Sequence, residues 1–449
     1  MLAALAAALL TAGFVASADA STMTPAPVQA SGLTVQATYA GTVATASSST
    51  NIAEPVAIDG ALYVVDQGAR TISIQGPGGP KVILDESGLP PGLTLASTAG
   101  ITNIAGAGGK AYVGYFASTL PSGFGTPAPL PDDPAYSQAN PRYDLIYSYD
   151  IAPDGSLTNP VPLAAFEART FGHHGGGMLV LPNGDLLYAR GDNLNQNYDG
   201  LSAPQDDGST LSKLLVIDGA TGAVTVAAKG VRNVQHLTWT DASQTAIAFS
   251  DIGWTVAEEI NVVSLAELLD TGVVENFGWG RGGDGLAREG TFYVSEGPEA
   301  AATVTGLAPL GEAGFVQPFA QFGREDHDGF FAVTGPVASE VSFSSIGLLF
   351  GDLVNGSLYA TLAGATGALN TVYAVQLLDA SGQATTLQAL LGLDRVDLRF
   401  FLFADGSAGL LAEQSGALYR LTQIAPVPLP ATLPLLLLGL AVLARRRQS

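Results

Sequence analysis

Short apolar runs alternate with turn residues along most of this chain. The clearest unit is DGALYVV at 59–65, in which an Asp-Gly pair leads into an apolar strand. Similar units are NGDLLY at 183–188 and DGSAGLL at 405–411. Asn-Gly and Asp-Gly pairs favour two-residue hairpin turns because these residues tolerate positive φ. The pattern therefore predicts many short strands joined by tight turns.

The recurrence of these units predicts a repeat architecture. Weaker copies lie at 109–113, 241–249 and 355–360, and the long gap between 249 and 355 is expected to contain a further copy. Helical patterns are few, and 265–269 is the best short candidate. We therefore predict an all-β fold, a six-bladed β-propeller over residues 21–425, with an array of β-sandwiches as the alternative.

Residues 1–20 are an apolar Ala/Leu run that ends in Ala18, Asp19 and Ala20. Small residues in this arrangement are typical of a signal peptide cleaved after Ala20. No Lys or Arg precedes the run, so a buried helix is the alternative. The leader predicts an exported protein.

The other end contains an uncharged stretch, 427–444, followed by three arginines at 445–447. Eighteen residues make roughly 27 Å of helix, enough to cross a hydrocarbon core, and the arginines would stay on the cytoplasmic side. The motif VPLPA at 427–431 resembles the PEP-CTERM class of sorting signals. That resemblance implies a transmembrane sorting tail over 427–449, recognition by an exosortase, and delivery to the cell surface or extracellular matrix. A plain membrane anchor is the alternative.

Charge and composition exclude several classes. The chain has 40 Asp+Glu against 18 Lys+Arg, a formal net charge of −22, whereas nucleic-acid binding needs a basic surface. It contains no cysteine, which excludes disulfide frameworks, thiolate zinc sites and cysteine nucleophiles.

The four histidines lie in polar loops between apolar strands. His173 and His174 adjoin in FGHHGGGM, His236 lies in GVRNVQHL and His327 in GREDHDG. The neutral ring of His173 is suited to act as a general base near pH 7. Histidines and carboxylates could also bind a transition metal, although no HxH or HExxH spacing occurs. The remaining alternative is that these rings only hydrogen-bond their own loops.

Two further patterns carry weaker signals. GAGGKA at 106–111 fits the loose dinucleotide pattern GxGxxA, but it leads into a strand rather than a helix, which predicts a turn. The run at 192–200 is rich in oxygen ligands but departs from EF-hand spacing at Leu194. It is more typical of a solvated loop than of a calcium site.

Taken in order, these segments resemble the glucose/sorbosone dehydrogenase family, six-bladed propellers that include quinoproteins using pyrroloquinoline quinone (PQQ) and calcium. HHGGG followed by GDN resembles the family's H-N-G-G and G-D-N, and GVRNVQ resembles its G-x-R-N-P-Q. The matching segments are 173–177, 191–193, 203–217, 230–235, 258–261, 276–279 and 351–356.

The resemblance implies roles for particular residues. His173 would be the base that removes a sugar hydroxyl proton. Arg232 and Asn233 would bind the carboxylates and o-quinone of PQQ, and Arg395 lies where some members carry further cofactor-binding arginines.

One segment departs from the family pattern. Where the enzymes have E-Q/H-G-P, which supplies a cofactor contact and calcium-binding carbonyls, this chain has Asp251, Ile252, Gly253 and Trp254. The resemblance still implies the main-chain carbonyls of Gly253 and Trp254 as calcium ligands. Ile252 cannot make the polar contact of Gln or His.

Two functions follow from these observations. The first is an exported quinoprotein-like dehydrogenase that oxidises an aldose or related sugar alcohol group with PQQ and Ca²⁺. The alternative is a non-catalytic surface propeller that binds glycans or partners in an extracellular polysaccharide matrix; the sorting tail and the altered segment 251–254 favour it. The first function requires distant loops to bring His173, Arg232 and Arg395 together at the mouth of the propeller channel.

Overall fold

A computed structural model describes most of the region between the two predicted terminal signals. Within it, no helix is long and apolar enough to cross a bilayer. The predicted leader 1–20 and tail 427–449 lie outside the described residues. The described ranges are 26–43, 52–76, 78–96, 100–130, 141–168, 172–193, 203–254, 256–270, 272–281, 287–294, 304–307, 314–324 and 332–424.

These ranges form an all-β structure. Their strands, in chain order, are β1 (Thr34–Thr42), β2 (Val56–Ile58), β3 (Ala61–Asp66), β4 (Thr71–Gly76), β5 (Gly79–Leu84), β6 (Ile101–Ala107), β7 (Lys110–Ala117), β8 (Arg142–Ile151), β9 (Leu157–Ala168), β10 (Met178–Val180), β11 (Leu186–Arg190), β12 (Lys213–Ile217), β13 (Val224–Lys229), β14 (Leu237–Trp239) and β15 (Ala246–Asp251). They continue with β16 (Ala257–Ser264), β17 (Glu275–Asn276), β18 (Gly280–Arg281), β19 (Ala287–Glu289), β20 (Phe292–Val294), β21 (Val304–Leu307), β22 (Ala320–Gly323), β23 (Val333–Val337), β24 (Ile346–Asp352), β25 (Leu358–Leu362), β26 (Tyr373–Leu378), β27 (Ala384–Thr385), β28 (Leu398–Leu402), β29 (Ala408–Ala412) and β30 (Ala417–Ile424).

Helices within the described ranges are short. They are α1 (Leu265–Leu268), α2 (Leu387–Leu391) and one 3₁₀ turn at Glu86–Gly88. The predicted helix at 265–269 is confirmed as α1. It starts with a capping box, in which the Ser264 hydroxyl accepts from the Glu267 N–H and the Glu267 side chain accepts from the Ser264 N–H.

The strands assemble into sheets that are antiparallel except for the pairs β1–β26 and β13–β17. Four sheets have four strands each: β2–β5, β6–β9, β14-β15-β16-β22 and β18–β21. A fifth adds β17 to β10–β13, and a nine-stranded sheet runs β23-β24-β25-β26-β1-β30-β29-β28, with β27 on β26. The predicted six-bladed propeller implies six separate four-stranded blades, and these sheets differ from that arrangement. The difference arises because β1 and β26 pair in parallel and join two antiparallel groups into one sheet.

The first strands of successive groups pack against one another in a closed circle. In order, the neighbours are β2, β6, β10, β14, β23, β28 and again β2. Apolar clusters fill the spaces between neighbouring sheets all the way round. The circle is closed by the two ends of the described chain, since β1 pairs with β30 in antiparallel register. The fold is propeller-like.

The repeated turn pairs form the predicted hairpins. Asp59 and Gly60, with φ of 48° and 86°, connect β2 to β3, and positive φ at both positions is the signature of a type I′ turn. Asn183-Gly184 and Asp405-Gly406 occupy the same position between the first two strands of their groups. The gap between 249 and 355 contains the hairpin β23–β24, whose connection at 338–345 has no Asn-Gly or Asp-Gly pair, together with the small sheet β18–β21.

Candidate functional site

A cavity of about 410 Å³ opens near the centre of the circle of first strands. Its lining residues are far apart in sequence, and most of them lie in the loop before a first strand or within that strand. The exceptions, Gln67, Ile252 and Leu353, directly follow the second strand of their groups. This is the arrangement expected for a propeller channel. Polar members of the lining include Glu54, Asn103, His173, Arg232, Asn233, Arg324 and Arg399.

His173 lines the cavity, and a buried carboxylate contacts one of its ring nitrogens. Its Nδ1 is 3.0 Å from Asp192 Oδ1, and its side chain is 19% exposed while Asp192 is buried. The other Asp192 oxygen is 3.8 Å from Arg232 Nε. The buried carboxylate therefore joins the imidazole and the guanidinium into one polar unit.

Main-chain contacts hold this unit in place. The Asn193 N–H donates to the His173 carbonyl and the Asp192 N–H donates to the Arg232 carbonyl, both at 2.9 Å. Gly191 is required by this close packing, because a Cβ there would lie 2.2 Å from the His173 carbonyl oxygen. The two loops that flank the β10–β11 hairpin and the loop before β14 are thus fixed against one another.

Asp251 fixes the next two site residues through their backbone. Its carboxylate accepts the Arg232 N–H at 2.8 Å and the Asn233 N–H at 2.7 Å. Burial raises the pKa of Asp251 to about 7, against the lowering effect of these hydrogen bonds. The Asn233 side chain lines the cavity, and its buried Oδ1 has no hydrogen-bond partner within the described residues.

The predicted calcium ligands are occupied by arginines. Arg232 Nη1 donates to the carbonyls of Ile252, at 2.9 Å, and Gly253, at 2.6 Å. Arg324 Nη1 donates to the carbonyls of Gly253, at 3.0 Å, and Trp254. Carbonyls that face two guanidinium groups do not fit a divalent cation, because both neighbours carry the same sign of charge.

Arg395 is not brought to the cavity. Its guanidinium pairs with Asp397, with Nη2 2.7 Å from Oδ1, and its side chain is 61% exposed. In this part of the chain the arginine that lines the cavity is Arg399, four residues later on β28, and its Nη2 is 3.2 Å from Glu413 Oε2. The expected cofactor contact at Arg395 is corrected accordingly: the start of β28, rather than the loop before it, reaches the cavity.

The other histidines have different surroundings. His174 is buried, with Nδ1 3.4 Å from Asp144 Oδ1. His236 Nδ1 is hydrogen-bonded to Glu54, while its buried Nε2 has no partner within the described residues although the ring lines the cavity. Burial raises the pKa of Glu54, against the lowering effect of His236. His327 lies outside the described residues.

Several cavity residues were not singled out from the sequence. They are Glu54, Asn103, Arg324 and Arg399. Position in the repeat is the signal that could have found them, since each precedes or occupies the first strand of a group. Their residue types alone gave no such indication.

The remaining sequence predictions have mixed outcomes. GAGGKA forms the turn between β6 and β7, as predicted. No group of three or more His, Asp or Glu residues suited to a metal ion occurs within the described ranges. Of the oxygen-rich run at 192–200, only Asp192 and Asn193 are described.

Comparison with known proteins identifies the fold. No family model matches the chain, and no curated protein matches it. The PQQ-bound aldose sugar dehydrogenase from Streptomyces coelicolor is similar in structure, with a TM-score of 0.52 and 18% identity over 89% of this chain and 100% of that one. A crystal structure of glucose dehydrogenase gives a TM-score of 0.51 and 15% identity over 84% of this chain and 98% of that one. The chain therefore shares the propeller-like fold of these two dehydrogenases.

Proposed function

We propose that this protein is a sugar-oxidising β-propeller that removes two electrons from an aldose or related sugar alcohol group in the central cavity. The single observation that carries the proposal is that His173 and Arg232 both line that cavity and are linked by the buried carboxylate of Asp192. Sequence resemblance and shared fold support the substrate class.

His173 is suited to take the hydroxyl proton. With Asp192 ionised, the neutral ring carries its hydrogen on Nδ1, which leaves Nε2 to accept a proton from substrate. Asp192 also stabilises the imidazolium that forms. An aldose becomes a lactone by losing two hydrogen atoms. His173 would take one as a proton, and the other would leave the anomeric carbon as a hydride.

The cavity fits an anionic cofactor such as PQQ. Its lining includes three guanidinium groups, Arg232, Arg324 and Arg399, and planar guanidinium groups suit carboxylate ligands. The Asn233 side-chain amide also lines the cavity, and its NH₂ group can donate hydrogen bonds to such a ligand. When bound, the quinone would supply the hydride acceptor.

The residues of segment 251–254 do not fit calcium, as the two arginine contacts show. No step of the proposed reaction uses a metal ion. The positive charge near the cofactor would come from the arginines of the cavity.

A dye-linked assay tests the proposal. Purified protein is incubated with PQQ, and dye reduction is followed with a panel of aldoses and sugar alcohols. We expect activity that His173→Gln lowers roughly 10²–10⁴-fold, the usual contribution of a general base, with PQQ binding retained. Arg395→Gln is the matched control, since that side chain lies outside the cavity. Absence of PQQ binding at micromolar concentrations contradicts the proposal.

The alternative is sugar binding without redox chemistry, and the arginine-capped carbonyls of Gly253 and Trp254 favour it. A glycan array probed with cofactor-free protein separates the two functions. Glycan binding that survives Arg232→Gln, together with no dye reduction, supports the binding protein and contradicts the dehydrogenase.

Export and sorting are proposed from the sequence. We propose that residues 1–20 direct export and that 427–449 place the chain in the membrane until an exosortase-type enzyme releases it to the surface or matrix. Replacing the three terminal arginines or deleting 427–449 should change the cell fraction, membrane or extracellular, in which the protein is found. Unchanged fractionation of both variants contradicts this proposal.

We also propose that the propeller has six blades. Division of the nine-stranded sheet at the parallel β1–β26 pair gives two antiparallel groups of blade size. The small sheet β18–β21 is then an insertion between β16 and β22. An experimental structure with a different number of blades contradicts this assignment.

A further inference from the structure

The oxygen atoms around Arg324 in the loop between β15 and β16 form an arrangement that its proposed cofactor-binding role does not explain. The main-chain carbonyls of Gly253 and Trp254 both accept hydrogen bonds from Arg324 Nη1. Arg324 Nε lies 2.9 Å from Glu258 Oε1. Two carbonyls and a carboxylate thus surround one guanidinium group.

This oxygen set is of the type that binds Ca²⁺, which prefers carboxylates and main-chain carbonyls. The Glu258 side chain is fully buried, and its second oxygen accepts the N–H groups of Gly253, at 3.2 Å, and Val333, at 3.1 Å. A buried carboxylate needs a cationic partner, and Arg324 is that partner in this structure.

The loop is also held without a metal. Glu289 Oε1 accepts the N–H groups of Trp254 and Val256, both at 2.8 Å, and of Ala257, at 2.9 Å. Arg232 fixes the Gly253 carbonyl from the other side. The geometry of the carbonyls is therefore determined by protein groups alone.

We propose that Arg324 takes the place of a divalent cation in this loop, so that the cavity binds an anionic ligand without calcium. The Arg324 side chain is 16% exposed and lines the cavity. A guanidinium group supplies a permanent positive charge at this position. The inference that Arg324 replaces the cation does not depend on the redox chemistry. Only the statement that the cavity binds an anionic ligand rests on the proposed function.

The first test measures calcium binding by the wild-type protein without PQQ or sugar. Isothermal titration with CaCl₂ should show no stoichiometric binding at micromolar concentrations, and EDTA should leave Tm unchanged. Stoichiometric binding, or a fall in Tm with EDTA, overturns the proposal. Because no cofactor is present, this result is independent of whether the protein oxidises sugars.

The second test removes the guanidinium. Arg324→Met leaves the Glu258 carboxylate and the Trp254 carbonyl without their cation, while Arg232 still donates to the Gly253 carbonyl. Calcium should therefore bind beside Glu258 and raise Tm by about 2 °C or more at saturating concentrations. Arg395→Met, which removes an arginine outside the cavity, should show no calcium-dependent shift. A folded Arg324→Met protein that calcium does not stabilise overturns the proposal. If that variant folds only with calcium present, the proposal is supported.

A third variant covers the case in which Arg324→Met does not fold under any condition. Arg324→Lys keeps a cation at this position and should remain insensitive to both calcium and EDTA. Calcium-dependent stabilisation of the lysine variant overturns the proposal.

Discussion

At the scale of single residues, the site depends on buried carboxylates that fix basic side chains. Asp192 joins His173 to Arg232, Asp251 holds the backbone of Arg232, and Glu54 holds His236. Such carboxylates set the tautomer and the direction of an imidazole. They therefore decide which ring nitrogen can act on a ligand.

Asp192→Asn tests this positioning role. The amide keeps the shape of the side chain but removes the charge that selects the Nδ1–H tautomer of His173, so we expect kcat to fall roughly 100-fold or more with little change in PQQ affinity. Steady-state kinetics and an equilibrium titration measure the two quantities. Equal losses of kcat and of PQQ affinity contradict a positioning role.

Arg399→Gln and Arg395→Gln form a matched pair. Arg399 lines the cavity whereas Arg395 pairs with Asp397 outside it, so PQQ affinity should fall roughly tenfold or more in the first variant and stay unchanged in the second. Fluorescence titration measures both dissociation constants. A larger loss with Arg395→Gln contradicts the structure of the site.

Stability should depend on pH through buried carboxyl groups. Burial raises the pKa of Glu258 and of Glu413 to about 7. Both pKa values lie above that of a glutamate in the unfolded chain, about 4.3. The stabilisation that each protonated carboxyl group contributes to the folded state is therefore fully present below about pH 4.3 and is lost as the pH rises through about 7.

We therefore expect Tm to fall between about pH 5 and about pH 8. Glu413→Gln should reduce this dependence, whereas Asp379→Asn, at an exposed turn, should not. Differential scanning calorimetry at the two pH values measures the effect, and a Tm that rises with pH contradicts it.

At the scale of elements, the sequence predicted hairpins better than it predicted which loops meet. Asp59-Gly60 and Asn183-Gly184 specify their turns by local φ preferences. The convergence of His173 and Arg232 depends instead on packing between sheets. Arg395 was expected at the cavity, whereas the structure has Arg399 there. Because β28 starts at Leu398, an error of a few residues in the predicted start of this strand exchanges a cavity arginine for an exposed one.

Gly191→Ala tests the close packing of the site loops. The added Cβ would lie 2.2 Å from the His173 carbonyl oxygen, and such overpacking costs about 1–3 kcal/mol. Gly125→Ala is the control, since a Cβ there meets nothing within 4 Å. Urea denaturation compares the free energies of unfolding. Equal stability of the two variants shows that the loops are not packed in this way.

At the scale of the whole molecule, closure of the circle depends on the pairing of β1 with β30. Leu421 on β30 is fully buried in the cluster that packs β1 and β28–β30 against β23–β26 of the same sheet. The alternation of apolar residues predicted strands from sequence. β1 pairs with strands more than 300 residues away, and no local sequence pattern specifies such a long-range contact.

Leu421→Ala tests this closure. Loss of a fully buried leucine side chain costs about 2–5 kcal/mol, and the whole protein should unfold in one transition at lower urea. Leu362→Ala, at a position 40% exposed, should change stability by less than about 0.5 kcal/mol. A separate early transition in the Leu421→Ala protein shows that closure and the remaining sheets are not one cooperative unit.

The central claim is that loops from distant sheets form one cavity in which His173 removes a proton while a bound quinone is reduced. The most direct measurement mixes PQQ-loaded protein with an aldose under anaerobic conditions and follows the spectrum of the bound quinone. We predict that the quinone of the wild-type protein is reduced, one per cavity, and that His173→Gln binds the same amount of PQQ but reduces it at least 100-fold more slowly. Reduction at the same rate in both proteins, or no reduction in either, contradicts the account.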